Sequence, residues 1–180
     1  MLITTPEGSR SKKELLTDPT IREAFSLGNS IQMLKRRNPR TKIGFTNGKF
    51  RALTPAHCVF LSLCKTKCDI LIVAVNSDYS LRMLGKTSKF SSQERAFSLA
   101  TLAVVDYVTI FNEETPALCI SSINPDVIFK GPDYKPSEVV SSGKAVEIIQ
   151  HPFNVHVSDL EGSSDSSSFF DISEIKSRLK

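Results

Sequence analysis

Residues able to hold a phosphate group stand at four points along the chain, each directly after a predicted β-strand. They occupy positions 46–57, 76–78, 130–134 and 161–168. Because the carboxyl ends of parallel strands meet at one edge of a sheet, we expect these segments to lie together. They supply small residues, hydroxyls, lysines, an arginine and His57. That inventory suits a phosphorylated ligand held by charged donors and backbone N–H groups.

The residue sets of several other chemistries are missing from this sequence. We find no convincing Ser-His-Asp combination, no carboxylate pair of the glycosidase kind and no metal-ligand cluster. Cys64 and Cys68 lie four residues apart on a predicted helix, but neither a histidine nor a second cysteine pair stands nearby. We therefore predict reduced, packed cysteines and no metal site built from side chains.

The composition is that of one ordinary globular domain. The 180 residues are 40% hydrophobic and carry 23 Lys+Arg against 19 Asp+Glu, a net charge of +4. A chain of this length buries about 70% of its unfolded surface, enough for one core. The longest apolar run, Ile70–Val75, is far shorter than the roughly 20 residues of a membrane helix, and no signal peptide opens the chain. We expect a soluble, cytoplasmic protein without a membrane partner.

Strands and helices alternate along the chain. This alternation, with nearly continuous apolar strands, predicts an α/β fold of the Rossmann-like kind: a parallel five-stranded sheet with helices on both faces. The predicted strands are 42–46, 69–76, 107–111, 126–130 and 153–157. The predicted helices are 55–67, 91–102 (opened by a capping box at Ser91 and Glu94), 115–122 and 169–179, with 136–151 partly helical.

An N-terminal helical extension is predicted to precede the sheet, so that residues 1–41 form a tail and helix and residues 42–180 the main domain. Asp18-Pro19 predicts the helix start, and the helix ends near Asn38-Pro39. Its apolar stripe is predicted at Ile21, Phe25, Gly28, Ile31 and Leu34. The basic run 35–42 suits either a solvated helix end or a phosphate backbone. We favour a packing and association element, with no nucleic-acid partner.

The order of these segments resembles the cytidylyltransferase-like nucleotidyltransferases, whose signature is [HT]-x-G-H at the start of the first helix after the first strand. Within them the resemblance is nearest to the ADP-heptose synthase (heptose-1-phosphate adenylyltransferase) branch, and it covers roughly residues 42–175. The matching positions are Thr46-Asn47-Gly48, Phe50, Leu53, His57, Val75-Asn76-Ser77-Asp78, Glu94-Arg95, Val105-Asp106-Tyr107-Val108, Pro125-Asp126, Lys130-Gly131, Asp133-Tyr134 and Glu161-Gly162.

The resemblance implies a reaction and its participants. A phosphate oxygen of a sugar phosphate or polyol phosphate attacks the α-phosphate of ATP or CTP, and pyrophosphate leaves. Mg²⁺ is expected to arrive with the nucleoside triphosphate, and the chain is expected to pair as a homodimer. The alternatives are an enzyme with another acceptor, such as a glycerol-phosphate cytidylyltransferase, and a catalytically inactive nucleotide-binding relative.

The resemblance also implies roles for particular residues. The catalytic residues are expected to be Thr54, His57 and Lys86, of which Thr54 and His57 share one face at a helix N-terminus. The nucleotide-binding residues are expected to be Thr46, Asn47, Gly48, Phe50, Lys130, Gly131, Ser166, Ser167 and Ser168. The substrate-binding residues are expected to be Asn76, Asp78, Arg95, Asp133 and Tyr134. Lys86 as a solvated loop residue, Arg95 as a surface ion pair and Tyr134 as plain packing are the alternatives.

Several positions depart from the pattern that the chain resembles. Arg51 stands where that pattern has an aspartate, and Ala56 stands where it has a glycine. Lys86 follows Gly85, whereas the pattern places lysine before glycine. Ser166-Ser167-Ser168 only approximates the usual Ser-Thr-Thr. We predict that Arg51 points into the site, so that Arg51→Asp weakens triphosphate affinity about tenfold or more without abolishing turnover.

Overall fold

A computed structural model describes residues 20–150 of the chain. They form a five-stranded parallel sheet in the order β3-β2-β1-β4-β5, which confirms the predicted Rossmann-like class. The strands are β1 (Ile43–Gly48), β2 (Ile70–Asn76), β3 (Tyr107–Phe111), β4 (Val127–Lys130) and β5 (Ala145–Ile148). The helices are α1 (Ala24–Arg37), α2 (Pro55–Lys65), α3 (Asp78–Met83), α4 (Ser92–Ala100) and α5 (Ala117–Ile123), with a 3-10 turn at Pro136–Glu138.

Both faces of the sheet are covered, and β2 shows why its sequence is apolar throughout. Leu71, Val73 and Val75 point to one face, where they pack in a cluster with residues of α2 and α4. Ile72 and Ala74 point to the other face and pack with residues of α1 and α5. Because alternate residues of a strand face opposite sides, a strand covered on both sides has no position left for a polar residue.

The first helix begins later than its sequence pattern predicts. Asp18 and Pro19 lie outside the described residues, but α1 starts only at Ala24. Before this helix, Ile21 forms an isolated parallel bridge with Val108 of β3. The backbone N–H of Arg22 donates to the carbonyl of Val108, which holds this stretch extended. An edge strand with free backbone groups therefore outcompetes the helix over these residues.

The buried stripe of α1 also differs from the predicted one. Phe25 is 74% exposed, whereas Leu27, Gly28 and Ile31 are buried. A Cβ at position 28 would lie 2.1 Å from the carbonyl oxygen of Ser122, so the glycine lets α1 approach the backbone at α5. This close approach turns the face at Gly28 inward and leaves Phe25 outside.

The fifth strand lies at Ala145–Ile148, inside a segment that the sequence analysis predicts to be partly helical. Only the 3-10 turn is helical there, and a turn with Gly143 at a φ of 79° leads directly into β5. The predicted strand 153–157 and helix 169–179 lie outside the described residues. The short helix α3 was not predicted, although Ser77 caps it by accepting a hydrogen bond from the backbone N–H of Ser80.

Three aspartates fasten the amino edge of the sheet. Each immediately precedes a strand and accepts a hydrogen bond from a backbone N–H at the start of the neighbouring strand. The pairs are Asp69 with Lys42 (2.7 Å), Asp106 with Leu71 (2.7 Å) and Asp126 with Ile43 (2.8 Å). Asp106 also pairs with Lys65, and Asp126 with Lys35. The carboxylates thus help set the strand register at the edge opposite the candidate site.

Every helix among residues 20–150 is too short or too polar to cross a bilayer.

Candidate functional site

A cavity of about 620 Å³ opens at the carboxyl ends of the strands, around the point where the strand order reverses between β1 and β4. In open α/β sheets this is the usual position of a ligand. Most of the residues predicted for the site come together here. They are Thr46, Asn47, Gly48, Phe50, His57, Asn76, Lys86, Lys130, Gly131, Asp133 and Tyr134.

His57 is held in one orientation by the start of α2. Its Nδ1 lies 3.2 Å from the backbone nitrogen of Thr54, which donates to it, and 3.0 Å from the Thr54 hydroxyl. In return, the Thr54 Oγ1 accepts from the backbone N–H of His57, which completes a capping box with histidine as its third helical residue. Because Nδ1 accepts from a backbone N–H, the proton of the neutral ring resides on Nε2. His57, whose ring is oriented in this way, is part of the cavity wall.

Thr54 itself is absent from the wall of the cavity within the described segment. Its hydroxyl and its backbone N–H are both directed at His57. The sequence analysis assigned Thr54 a catalytic role; its position supports a role in orienting the His57 ring.

The loop after β1 stores backbone strain beside His57. Phe50 has a φ of 42°, in the left-handed region that a bulky side chain rarely adopts, yet its ring is buried. The ring centroid lies 5.1 Å from that of His57. A Cβ at Gly48 would come within 2.9 Å of the Phe50 ring, so the glycine makes room for it. The strained loop thus packs an aromatic ring against His57.

Lys130 places a buried cation between the two central strand ends. Its Nζ donates to the backbone carbonyl of Asn47 at 2.9 Å and to the Asn47 Oδ1 at 2.7 Å. The same Nζ lies 5.0 Å from the centroid of the Tyr134 ring, a cation–π contact. Burial lowers the pKa of Lys130 to about 8. Among residues 20–150 its hydrogen-bond acceptors are neutral groups of Asn47, so an anionic ligand in the cavity would supply the missing negative charge.

The way in which α3 ends explains why the glycine at position 85 precedes the lysine at position 86. The backbone N–H of Gly85 donates to Arg82 and that of Lys86 donates to Leu81, which together form a Schellman motif. Gly85 takes the left-handed position of this motif, with a φ of 64°. Lys86 is therefore the first residue after the turn, exposed and lining the cavity.

Arg95 occupies a different place from the one predicted for it. It is 3% exposed, does not line the main cavity, and donates four hydrogen bonds to protein groups. The acceptors are the carbonyls of Phe90, Lys49 and Asn76 and the carboxylate of Asp78. A guanidinium committed in this way acts on the site by fixing the surrounding loops.

Asp78 is partly exposed and pairs with Arg95, and it is absent from the wall of the cavity within the described residues. One carboxylate oxygen accepts from Arg95 at 2.8 Å and the other from the backbone N–H of Ser92 at 3.1 Å. Burial alone would raise its pKa, but these hydrogen bonds hold the pKa of Asp78 below its ordinary value. Asn76 does line the cavity, and its side-chain amide donates to the Ser80 hydroxyl at 2.9 Å.

Some residues of the cavity wall were missed by the sequence analysis. Three lie in the segment between β3 and α5, and three come from the segment that was predicted as partly helical. They are Glu114, Thr115 and Pro116, and Glu138, Val139 and Val140. The first group satisfies the same rule as the others, since it follows a strand end, and could have been found. Ser166, Ser167 and Ser168 lie outside the described residues.

The carboxylates of the cavity are scattered. Glu114, Asp133 and Glu138 line it, but within residues 20–150 no three His, Cys, Asp or Glu side chains gather into a group fit for a metal ion. A divalent cation held mainly by phosphate oxygens and water fits this donor set, because Mg²⁺ commonly needs only one or two protein carboxylates.

This sheet order and a phosphate-suited cavity at the reversal point define a Rossmann-like nucleotide-binding fold. No family model matches the chain. The bifunctional protein HldE of Helicobacter pylori strain J99 is 39% identical over 135 residues, 74% of this chain and 29% of that protein. HldE of Wolinella succinogenes is 45% identical over 124 residues, 67% of this chain and 26% of that protein. The predicted resemblance to the ADP-heptose synthase branch is thus confirmed: over these residues the chain is homologous to part of the bifunctional HldE proteins.

The chain spans little more than a quarter of the length of these curated relatives. Among solved structures, a lipopolysaccharide core biosynthesis protein from Thermoplasma volcanium is 27% identical with a TM-score of 0.53, and the match covers 61% of this chain and 95% of that one. A pantoate-beta-alanine ligase from Francisella tularensis has a TM-score of 0.57 at 13% identity, covering 88% and 85% of the two chains. The second likeness shows the fold alone.

Proposed function

We propose that this protein is a nucleotidyltransferase that couples ATP or CTP to a sugar phosphate or polyol phosphate and releases pyrophosphate, most like a heptose-1-phosphate adenylyltransferase. The HldE relatives support this class of enzyme. One observation of the structure carries the proposal: the fixed His57 donor and the buried Lys130 cation line a single cavity at the ends of β1 and β4.

The chemistry asks for little more than these groups. An oxygen of the acceptor phosphate forms a bond to the α-phosphorus, and the bond from that phosphorus to the oxygen of the β-phosphate breaks. The electron pair of the broken bond leaves with pyrophosphate. Because negative charge builds up on the phosphoryl oxygens, oriented donors stabilise the transition state without a protein nucleophile.

Each residue then has a proposed role. His57 donates its Nε2 proton in a hydrogen bond to a phosphoryl oxygen at the start of α2, where the helix dipole favours an anion. Lys130 and Lys86 neutralise the charge of the phosphates. The nucleotide is contacted by Thr46, Asn47, Gly48, Phe50 and Gly131. The acceptor is contacted by Asn76, Asp133 and Tyr134. Thr54, Asp78 and Arg95 keep these groups in place.

We further propose that Mg²⁺ enters with the triphosphate. The carboxylates of the cavity wall would supply one or two protein ligands, with phosphate oxygens and water completing the shell. When bound, the ion would neutralise phosphate charge. The predicted homodimer and the cytoplasmic location stay predictions; sedimentation velocity tests the homodimer.

Pyrophosphate release tests the proposed function. The full chain is incubated with ATP or CTP, Mg²⁺ and a panel of acceptors that includes heptose 1-phosphate and glycerol 3-phosphate. We expect pyrophosphate to appear only when one triphosphate and one acceptor are both present. Triphosphate binding without release on any acceptor would favour the inactive relative, to which the Ala56 methyl in the cavity wall is the structural pointer. If the protein neither binds a triphosphate nor releases pyrophosphate, the proposal is contradicted.

A further inference from the structure

We propose that Arg51 is a positioning residue, which clamps the loop that carries Lys86 to the loop that follows β1. Arg51 does line the cavity, as the sequence analysis expected, but it would act on the ligand through Lys86 rather than by direct contact with phosphate. The ligand in question rests on the proposed function, but the clamp is a property of the protein alone. We define the two segments as the first loop, residues 49–54, and the second loop, residues 84–91.

The two loops hold each other by reciprocal hydrogen bonds. The Nε of Arg51 donates to the backbone carbonyl of Thr87 at 2.5 Å. In the opposite direction, the hydroxyl of Ser88 donates to the backbone carbonyl of Arg51 at 3.2 Å. A side chain of each loop thus satisfies a backbone carbonyl of the other, which ties both backbones rather than two flexible side-chain tips.

Arg95 joins the same two loops from the buried side. Its Nη1 donates to the carbonyl of Lys49 at 2.6 Å, and its Nε donates to the carbonyl of Phe90 at 3.3 Å. Between the two arginines lies a small pocket of about 60 Å³, lined by residues of both loops. The two loops are therefore bridged at three places.

The hydrogen bond from Arg51 affects Lys86 because it is made at the residue directly after the Schellman motif. The Schellman motif holds the chain up to the N–H of Lys86, so Thr87 begins the part of the loop that no longer has helical partners. The hydrogen bond from Arg51 is made at this residue. Lys86 is exposed, and an exposed loop with few partners is ordinarily mobile. Fixing the carbonyl of Thr87 sets the direction in which the Lys86 side chain leaves the backbone.

Two substitutions separate a clamp from a phosphate ligand. In Arg51→Gln the amide nitrogen occupies the place of Nε, one bond beyond Cδ, so the donor to Thr87 is kept while the charge is lost. In Arg51→Lys the charge is kept, but a methylene replaces Nε and the donor is lost. The clamp requires that Gln behaves like the parent and Lys does not. A direct phosphate contact requires the reverse.

The first measurement needs no ligand. Hydrogen–deuterium exchange of the backbone amides at 84–91 is followed in the free full-length protein. We expect exchange about tenfold faster in Arg51→Lys than in the parent, and near the parent's rate in Arg51→Gln. Equal exchange in all three proteins, or faster exchange in Arg51→Gln alone, would overturn the clamp, whatever the protein binds.

The second measurement is a double-mutant cycle on the affinity for ATP or CTP with Mg²⁺. Lys86→Ala and Arg51→Lys are each expected to weaken binding about tenfold, and the double variant is expected to be no weaker than either. Lys89→Ala, an exposed lysine of the same loop outside the cavity wall, serves as the control and should bind like the parent. Effects that multiply in the double variant would show that Arg51 acts independently and would overturn the proposal. A parent that binds neither triphosphate would contradict the proposed function, while the exchange result would still decide the clamp.

Discussion

The two edges of the sheet use the same kinds of charged residues in opposite ways. At the amino edge, Asp69, Asp106 and Asp126 accept hydrogen bonds from strand N–H groups, and the last two also pair with lysines. At the carboxyl edge, by contrast, Lys130 is buried beside a cavity of about 620 Å³, and its hydrogen-bond partners among residues 20–150 are neutral groups of Asn47. At the amino edge, carboxylates are paired with lysines of the protein. At the carboxyl edge, the Lys130 cation is placed to pair with an anionic ligand.

The pKa directions at the two edges follow from this difference. Burial alone would raise the pKa of Asp126, but the hydrogen bonds from Lys35 and from the backbone N–H of Ile43 hold it below its ordinary value. For Lys130 burial alone acts, and the pKa falls to about 8. The paired carboxylate at the amino edge serves folding, whereas a buried lysine whose partners among residues 20–150 are neutral is the kind of group expected in a binding site.

The largest expected effect is on turnover, and it separates the proposed catalytic role of His57 from its role in capping α2. In His57→Asn, the Oδ1 occupies the place of Nδ1 and can still accept from the backbone N–H of Thr54, but the Nε2 donor is gone. We expect turnover to fall by about 10²–10³-fold, because one donor to the developing charge is lost. The thermal midpoint should stay close to that of the parent.

His57→Ala is the companion variant for this comparison. It removes both the donor and the cap, so it should lose the same turnover and also part of the stability of α2, about 1 kcal/mol. Steady-state kinetics and thermal unfolding check both variants. Parent-like turnover in His57→Asn would show that the residue only caps the helix.

The next effect should appear in stability at the amino edge. Asp106→Ala leaves the N–H of the buried Leu71 without its acceptor and Lys65 without its ion-pair partner. We expect the free energy of unfolding to fall by about 1–3 kcal/mol, with the affinity for triphosphate unchanged. Urea unfolding and calorimetry measure the two quantities. Glu114→Ala, an exposed carboxylate at the carboxyl edge, is the control and should stay within about 0.5 kcal/mol of the parent. Loss of affinity in Asp106→Ala at unchanged stability would break the comparison.

A smaller effect is expected from pH at Lys130. With a pKa of about 8, the free protein carries this charge at pH 7 and has lost most of it at pH 9. Triphosphate affinity should therefore fall about tenfold between pH 7 and 9 if only the charged lysine binds. Lys130→Arg should retain its affinity at pH 9, since a guanidinium stays charged there. A flat profile in the parent would contradict a role for the Lys130 charge.

The loss of affinity at high pH cannot be explained by unfolding that Lys130 causes. A lysine whose pKa is lower in the folded state than in the unfolded state binds fewer protons when folded. Its contribution to folding stability therefore rises as the pH increases from about 8 towards the ordinary lysine value. Affinity and this contribution to stability move in opposite directions over that range.

The sheet and most of the cavity were predictable, because strand sequences and the residues after them carry local signals. Ile70–Val75 is apolar at every position, and its burial on two faces follows from that alone. The rule that ligands lie beyond strand ends gathered Asn47, His57 and Lys130 into one site. The contacts among them depend on side-chain packing between distant segments, which no local pattern encodes.

The errors have the same physical origin. The helix start at Asp18-Pro19 is a sound local signal, but pairing of Ile21 with Val108 shifts the observed start to Ala24. Arg95 follows a capping box on a helix that the sequence alone would leave exposed, yet it donates to three carbonyls and a carboxylate from other segments of the chain. Such outcomes are decided by long-range partners, so a single sequence does not show them.

Titration calorimetry of two lysine variants tests most directly the claim that triphosphate binds at the carboxyl edge. Lys130→Met removes the cation beside Asn47, and Lys65→Met removes the one that pairs with Asp106 at the amino edge. With ATP or CTP and Mg²⁺, we expect Lys130→Met to bind at least about tenfold more weakly than the parent and Lys65→Met to bind equally well. Equal affinities in the two variants, or a loss confined to Lys65→Met, would contradict the account.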